Sequence, residues 1–273
     1  VKVIRSRKGE KANKKKMATV AAVFSQAPII RTPQDVLDSL FAAPGTRPRR
    51  QRRPRPTAKR IWASLISTKD SFFADVRAEM RRRDPRGRRT WVIVTDGERA
   101  LQRRVAETFT GVTLVLDLLH VMQKLWKVAY VFHPEGSPEA EAFVYARAER
   151  ILNGGISQVV KGLRQMATKR RLRGEKAETI REVTGYYYNN RNRMVYDVYL
   201  ANGWPIASGS VEGACKCLVR DRLVFSSAGD VLTCPLRSQA VVVGYSAPSY
   251  RLPRAQLFRG GEPELPSVPG RAS

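Results

Sequence analysis

Apolar and polar positions divide this chain into short strands and amphipathic helices. Residues 17–24 (MATVAAVF) make an uninterrupted apolar and β-branched run, the pattern of a buried strand. Thr32-Pro33-Gln34-Asp35 carries a helix start, with Thr32 at the N-cap and Pro33 in the first turn. Residues 43–60 lose all periodicity and are crowded with Pro and Arg, so they read as a solvated basic loop or linker. Apolar positions at Ile61, Leu65, Phe72, Phe73 and Val76 predict a helix over residues 61–83.

The next stretch is the most regular. Trp91-Val92-Ile93-Val94 is an apolar run that ends at Thr95-Asp96-Gly97; a polar helix follows over 98–109, and a second run, Val112 to Leu116, ends at Asp117. Strand, helix and strand in succession predict a βαβ unit with a parallel pair. Strands at 17–24, 91–95 and 112–116 are expected in one mixed sheet. Residues 118–200 read as helix-rich, with helices over 118–130, 138–152 and, with breaks, 175–200. From about Val224 Pro recurs and no helical period survives, which predicts a tail over 224–273 without regular structure.

Charge then narrows the partners. Fifty Lys and Arg face 24 Asp and Glu among 273 residues, a net charge of +26 and a pI near 10.8. Such a field attracts polyanions and releases counterions from a nucleic-acid backbone. No apolar run approaches the roughly 18 residues that span a bilayer, and no basic helix has a clear apolar face, so nucleic acid is the expected partner and a membrane is not. The basic N-terminus lacks the apolar stretch of a signal peptide. The chain opens at Val1 rather than Met and is expected to be a fragment. Cys215 and Cys217 form a C-x-C pair without a second pair at zinc spacing, and the odd Cys count, with Cys234, suits a reducing cytoplasm.

In a parallel sheet, reactive groups gather at the carboxyl ends of the strands. Asp96 and Asp117 both sit there, and two such carboxylates are a natural place for Mg²⁺ or Mn²⁺, which take oxygen ligands. Phosphoryl transfer on DNA uses paired ions, one activating the attacking oxygen and one stabilising the leaving oxygen. The bland alternative is that each Asp forms a turn or caps a helix. Glu212, in Pro205-Ile206-Ala207-Ser208-Gly209-Ser210-Val211-Glu212-Gly213, falls in the first turn of an expected helix, where the helix dipole alone would favour it. His120 reads either as an active-site neighbour or as a core residue, and His133, in a loop, as structural. Tyr186 to Tyr188 and Trp204 suit base stacking or a helical core. Arg49, Arg50, Arg52 and Arg53 are the expected contacts to DNA phosphates.

Longer motifs go further. The segment GWPIASGSVEGACKCLVRDRL (203–223) closely resembles a signature of the ISKra-type insertion-sequence transposases. KGEKANKKKMATVAAVFS (8–25), RTPQDVLDSLF (31–41), RRDPRGRRTWVIVTDGERAL (82–101), VLDLLHVMQKLWKVAYVFHPEGSPEAEAFV (115–144) and YYNNRNRMVYDVYL (187–200) resemble the family in order and spacing. The resemblance implies kinship with Mutator-type transposases and an α/β fold: an RNase H-like mixed sheet with a large all-helical insertion, a basic loop and a disordered C-terminal tail. Residues 1–117 would hold the first part of the core, 118–205 the insertion, 206–223 a core helix and 224–273 the tail. By the same resemblance Asp96 matches the second catalytic aspartate, Asp117-Leu118-Leu119-His120 the D-x-x-H motif, and Glu212 the catalytic glutamate. Asp117 rivals Asp96 as a metal ligand. The implied partners are insertion-sequence ends and target DNA, with a homo-oligomer possible, in the nucleoid of a bacterial cytoplasm.

Three departures bear on activity. The family carries its first catalytic Asp on a strand before the K-G-E-K-A-N segment, and here no acidic residue precedes Glu10. Cys217 stands where the family has His, and only a faint echo of the family's continuation survives around Leu236 to Val241. Three functions therefore stand: a Mg²⁺-dependent transposase, a DNA-binding remnant that no longer cuts, and a basic RNA-binding protein.

Overall fold

The computed structural model describes residues 18–42, 56–64, 68–208 and, as backbone, 238–246. The chain is mixed α/β. Its strands are β1 (Ala18–Ser25), β2 (Thr57–Ser64), β3 (Thr90–Thr95), β4 (Val112–Leu116) and β5 (Ser238–Ser246), which lie in one sheet in the order β2-β1-β5-β3-β4. β1 and β2 are antiparallel, and β3 and β4 are parallel with Trp91 opposite Val112. β5 joins the two pairs. It runs parallel to β1, from Ala18 opposite Ser238 to Ser25 opposite Tyr245, and antiparallel to β3, with Thr95 opposite Val241.

β1 and β3 bury both faces, and their residues divide strictly by the period of two. Ala21, Val23, Trp91 and Ile93 face one layer, with Phe72, Phe73, Val76 and Met80 of α2 (Lys69–Arg83) and Leu101 and Val105 of α3 (Arg99–Thr108). Val20, Ala22, Phe24, Val92 and Val94 face the other layer. That layer holds α1 (Pro33–Leu40), α4 (Leu118–Phe132), α5 (Pro138–Leu152), α6 (Ile156–Lys169), α7 (Gly174–Asn190) and α8 (Tyr196–Ala201).

Caps stop and start these helices where the sequence supplies them. The Thr32 hydroxyl accepts from Asp35 N while Asp35 Oδ2 accepts from Thr32 N, a reciprocal box with Pro33 in the first turn. Ser137 caps α5, also with Pro in its first turn. The βαβ unit, the first strand and α1 lie where the sequence predicts them, within a residue or two. α6 joins the predicted helices of the 118–205 segment, its Ile156, Val159, Val160 and Leu163 forming one buried stripe.

Two expectations are corrected. Residues 61–64, predicted helical, belong with residues 57–60 to strand β2. The apolar spacing imitates a helix, but β2 is an edge strand whose Lys59 and Arg60 lie in solvent, as charged edges do. Glu79 fastens it to α2: the buried carboxylate accepts from Arg60 at 2.8 Å, Arg82 at 2.7 Å and Arg83 at 2.6 Å, and Arg83 also donates to Ala58 O. Residues 238–246, which the sequence places in a tail without regular structure, form β5. Their Val241-Val242-Val243 run is strand-forming, and Pro on either side obscures it. The basic residues Arg49, Arg50, Arg52 and Arg53 and the segment 209–223 lie outside the described residues.

Candidate functional site

β3 and β4 are parallel and in register, so their carboxyl ends deliver Asp96 and Asp117 side by side, and Asp117 N donates to Thr95 O at 2.8 Å. The chain must turn sharply after Thr95 to enter α3, and Gly97 makes the turn at φ +85°. A Cβ there would strike the Tyr186 hydroxyl and come within 2.7 Å of Leu116 Cδ1, so only Gly fits. Asp96 Oδ1 accepts from Glu98 N at 3.1 Å, which closes an Asx turn, and Glu98 in turn caps α3 by accepting from Ala100 N and Leu101 N.

The two aspartates differ in environment. Asp96 is half-buried, and its second carboxylate oxygen has no hydrogen-bond donor among the described residues. Burial pushes its carboxyl above the usual range. The Glu98 N–H and His120 pull it back, while the charges of Glu98 and Asp117 add to the rise. Asp117 is only 1% exposed at its side chain. It is the N-cap of α4: Oδ1 accepts from Leu119 N at 2.9 Å, and Oδ2 accepts from Ser208 N at 3.3 Å and from the Ser208 hydroxyl. His120 Nδ1 lies 3.5 Å from the same oxygen.

The helical layer supplies the groups that hold these strand ends. Tyr186 donates to Asp96 O, Tyr196 to Leu116 O and Tyr187 to Val121 O, each at 2.8 Å. Tyr187 and Tyr196 are fully buried, and burial raises both phenols well above their ordinary range. They are core anchors, not stacking surfaces. Trp204 also packs inward, stacked on Tyr199 at 6.1 Å, with its carbonyl accepting from Arg31. Tyr188 is the exception, 49% exposed. His133 closes α4 and packs against Phe143. The anchoring role of Tyr186 and Tyr196 is not legible in the sequence, because only the fold brings residues 186 and 196 to residues 96 and 116. Ser208 escapes sequence reasoning for the same reason.

From Gly203 the chain returns to this edge: Leu118 N donates to Ile206 O at 2.9 Å, and Ser208 reaches Asp117. Glu212 lies outside the described residues. Among those described, no group of three His, Cys, Asp or Glu side chains is arranged to hold a metal ion. A hard cation needs oxygens with lone pairs to offer. Asp96 has one oxygen that accepts no hydrogen bond among the described residues, whereas in Asp117 Oδ1 accepts one and Oδ2 two. Comparison with family models, curated proteins and solved structures gave no match. No described helix is long and apolar enough to cross a membrane.

Proposed function

We propose that this chain is the catalytic-core region of a DNA transposase of the ISKra-type kind, and that it binds DNA without cutting it. The observation that carries the reading is the edge where Asp96, Asp117 and Ser208 meet. The resemblance requires Asp96 at a strand end, the D-x-x-H segment beside it, and Glu212 returning from beyond a helical insertion. Three features of the fold support the reading. Asp96 ends β3, Asp117 to His120 begin α4 beside it, and the chain comes back at Ser208 after five helices. Glu212 follows Ser208 by four residues, a tether of at most about 14 Å.

The different environments of the two rivals support different roles. Asp117 is a buried cap that ties α4 to Ser208, a positioning residue. Asp96 keeps an oxygen that accepts no hydrogen bond among the described residues, so Mg²⁺ or Mn²⁺ would be held by Asp96 with Glu212. Bound there, such an ion supplies electrostatic stabilisation of a phosphodiester oxygen. The central strand supports the loss of cutting. β5 occupies the place where the resemblance expects the strand of the first carboxylate, and its sequence SQAVVVGYS has no acid.

Titration of labelled duplex DNA, followed by anisotropy across a salt series, tests the reading together with a strand-cleavage assay in Mg²⁺ and Mn²⁺. Steeply salt-dependent binding is expected, flattened when Arg49, Arg50, Arg52 and Arg53 become Ala, with no cleavage of any insertion-sequence end. Binding that ignores salt would overturn the electrostatic part. Cleavage that vanishes in Glu212→Gln would overturn the inactivity.

A further inference from the structure

A second feature borders Asp96 and shares Gly97 and Tyr186 with it. Between the start of α3 and the outer face of α7 lies a half-open cleft of about 280 Å³, whose lining includes Gly97, Arg99, Arg181, Gly185, Tyr186 and Asn189. We propose that this cleft is a nucleotide subsite, which takes one unpaired nucleotide of a DNA strand beside Asp96. The proposal rests on the DNA-binding reading and names where a strand enters.

The chemistry of the walls selects the ligand. Arg99 and Arg181 stand exposed on opposite walls, and Arg181 is held only by an exposed pair with Glu178 that a phosphate can replace. Two guanidinium groups across a narrow cleft suit a phosphodiester, which accepts paired N–H donors. Asn189 is exposed, and its amide makes no side-chain hydrogen bond among the described residues, so it is available to a base edge. The one acid on the wall, Glu182, is already neutralised by Lys124 at 3.3 Å and Lys127 at 2.9 Å. On the next turn of the same face, Tyr188 lies exposed with the Arg191 guanidinium 4.2 Å and that of Arg164 5.7 Å from its ring centre. An aromatic ring among cations is how sequence-tolerant single-strand sites are built.

Size sets the stoichiometry. The volume is at the lower end for small-ligand sites, about 300–1,000 Å³. One base with its phosphate fits, and a stacked pair does not, so the nucleotide must leave the duplex or come from a single strand. The floor is bare at Gly185, where a Cβ would meet nothing within 4 Å. A side chain added there projects into the cleft.

Gly185→Leu is therefore the decisive variant, since replacing a helical Gly also favours the helix. Labelled single-stranded DNA of mixed sequence is titrated against wild type, Gly185→Leu, Arg99→Ala and, as a charge-matched control on α2, Arg77→Ala. Gly185→Leu should keep the wild-type melting temperature or exceed it while weakening binding about 5- to 150-fold, the range of one lost stacked base. Arg99→Ala should lower the slope of log affinity against log salt by about 0.7, and Arg77→Ala should leave it unchanged. A folded Gly185→Leu that binds like wild type overturns the subsite. Wild type that binds duplex but no single strand overturns it too, and leaves the DNA-binding reading standing. Wild type that binds neither removes both.

Discussion

The helical layer and the sheet are assembled in opposite ways. α4 to α8 come from one stretch of chain, Leu118 to Ala201, with α4 packed on α5 and α7, α6 on α7, and α8 on α5. The sheet draws strands from residues 18–25, 57–64, 90–95, 112–116 and 238–246, and its central strand is the last in sequence. A layer of local contacts closes early and cheaply in chain entropy, whereas a centre supplied by the far end must close a loop over most of the chain. The site straddles this divide. The sheet delivers Asp96 and Asp117, and the helical layer holds them through Tyr186, Tyr196 and Ser208. Cohesion of the helices should therefore survive damage that dissolves the sheet.

Val242→Pro tests that separation most harshly. Proline removes a ladder hydrogen bond from a central strand, where it is not tolerated, and it would release β1 from β3. Hydrogen exchange followed by mass spectrometry should show residues 18–25 and 90–95 losing protection while 118–201 keep theirs. Equal loss in both would mean that the two layers form one cooperative unit.

Glu79→Gln comes next. The change leaves Arg83, with only 8% of its side chain exposed, without its carboxylate, and breaking such a pair costs about 3–5 kcal/mol. Hydrogen bonds from Arg82 above all, then Arg83 and Arg60, outweigh burial and hold the Glu79 carboxyl at about 2, below its ordinary value of 4.5. A depressed folded-state value gives stability that is present above 4.5 and lost as pH falls through about 2. Urea unfolding should place the loss from Glu79→Gln at neutral pH and shrink it toward pH 2.

Gly97→Ala strikes the join between the regions. A side chain at φ +85° that also meets Tyr186 and Leu116 should cost about 1–3 kcal/mol. A melting temperature unchanged by this substitution would deny that the turn is packed as described.

The smallest effect has the opposite sign. Burial raises the Asp96 carboxyl in the folded chain, so the folded state binds that proton more tightly than the unfolded chain does. Stability from this group is full below the unfolded value and is lost as pH rises through the folded one. Asp96→Asn should therefore raise the melting temperature at neutral pH, and the gain should fade in acid. Asp117→Asn, by contrast, weakens a buried cap and should lower the melting temperature.

How far the sequence can be read follows the same divide. Caps and periods are local signals, so Thr32 with Asp35, Ser137 with Pro138 and the run from Trp91 to Asp117 are legible in the residues themselves. What the residues do not reveal is non-local. Nothing near Val241 says that it pairs with both Ala21 and Thr95. Nothing near Tyr196 says that its hydroxyl meets Leu116 O. The edge strand β2 reads as loop over 57–60 and helix over 61–64 because Thr57 to Arg60 are exposed and Ile61 and Trp62 only half-buried, so no strand period marks it. Asp96 and Asp117 are both legible as strand-end carboxylates, but their difference in burial is not, since it depends on Ser208.

The central claim is that Asp96 and Glu212 converge on one divalent cation while Asp117 serves as a cap. Iron(II) exchanged into a magnesium site cuts the neighbouring backbone when ascorbate and peroxide are added, and the full chain can be mapped this way. Cuts near residues 96 and 212, suppressed by excess Mg²⁺ and absent from Asp96→Asn, are the expected result. Cuts confined to one of the two segments, or cuts that Mg²⁺ does not suppress, would contradict it.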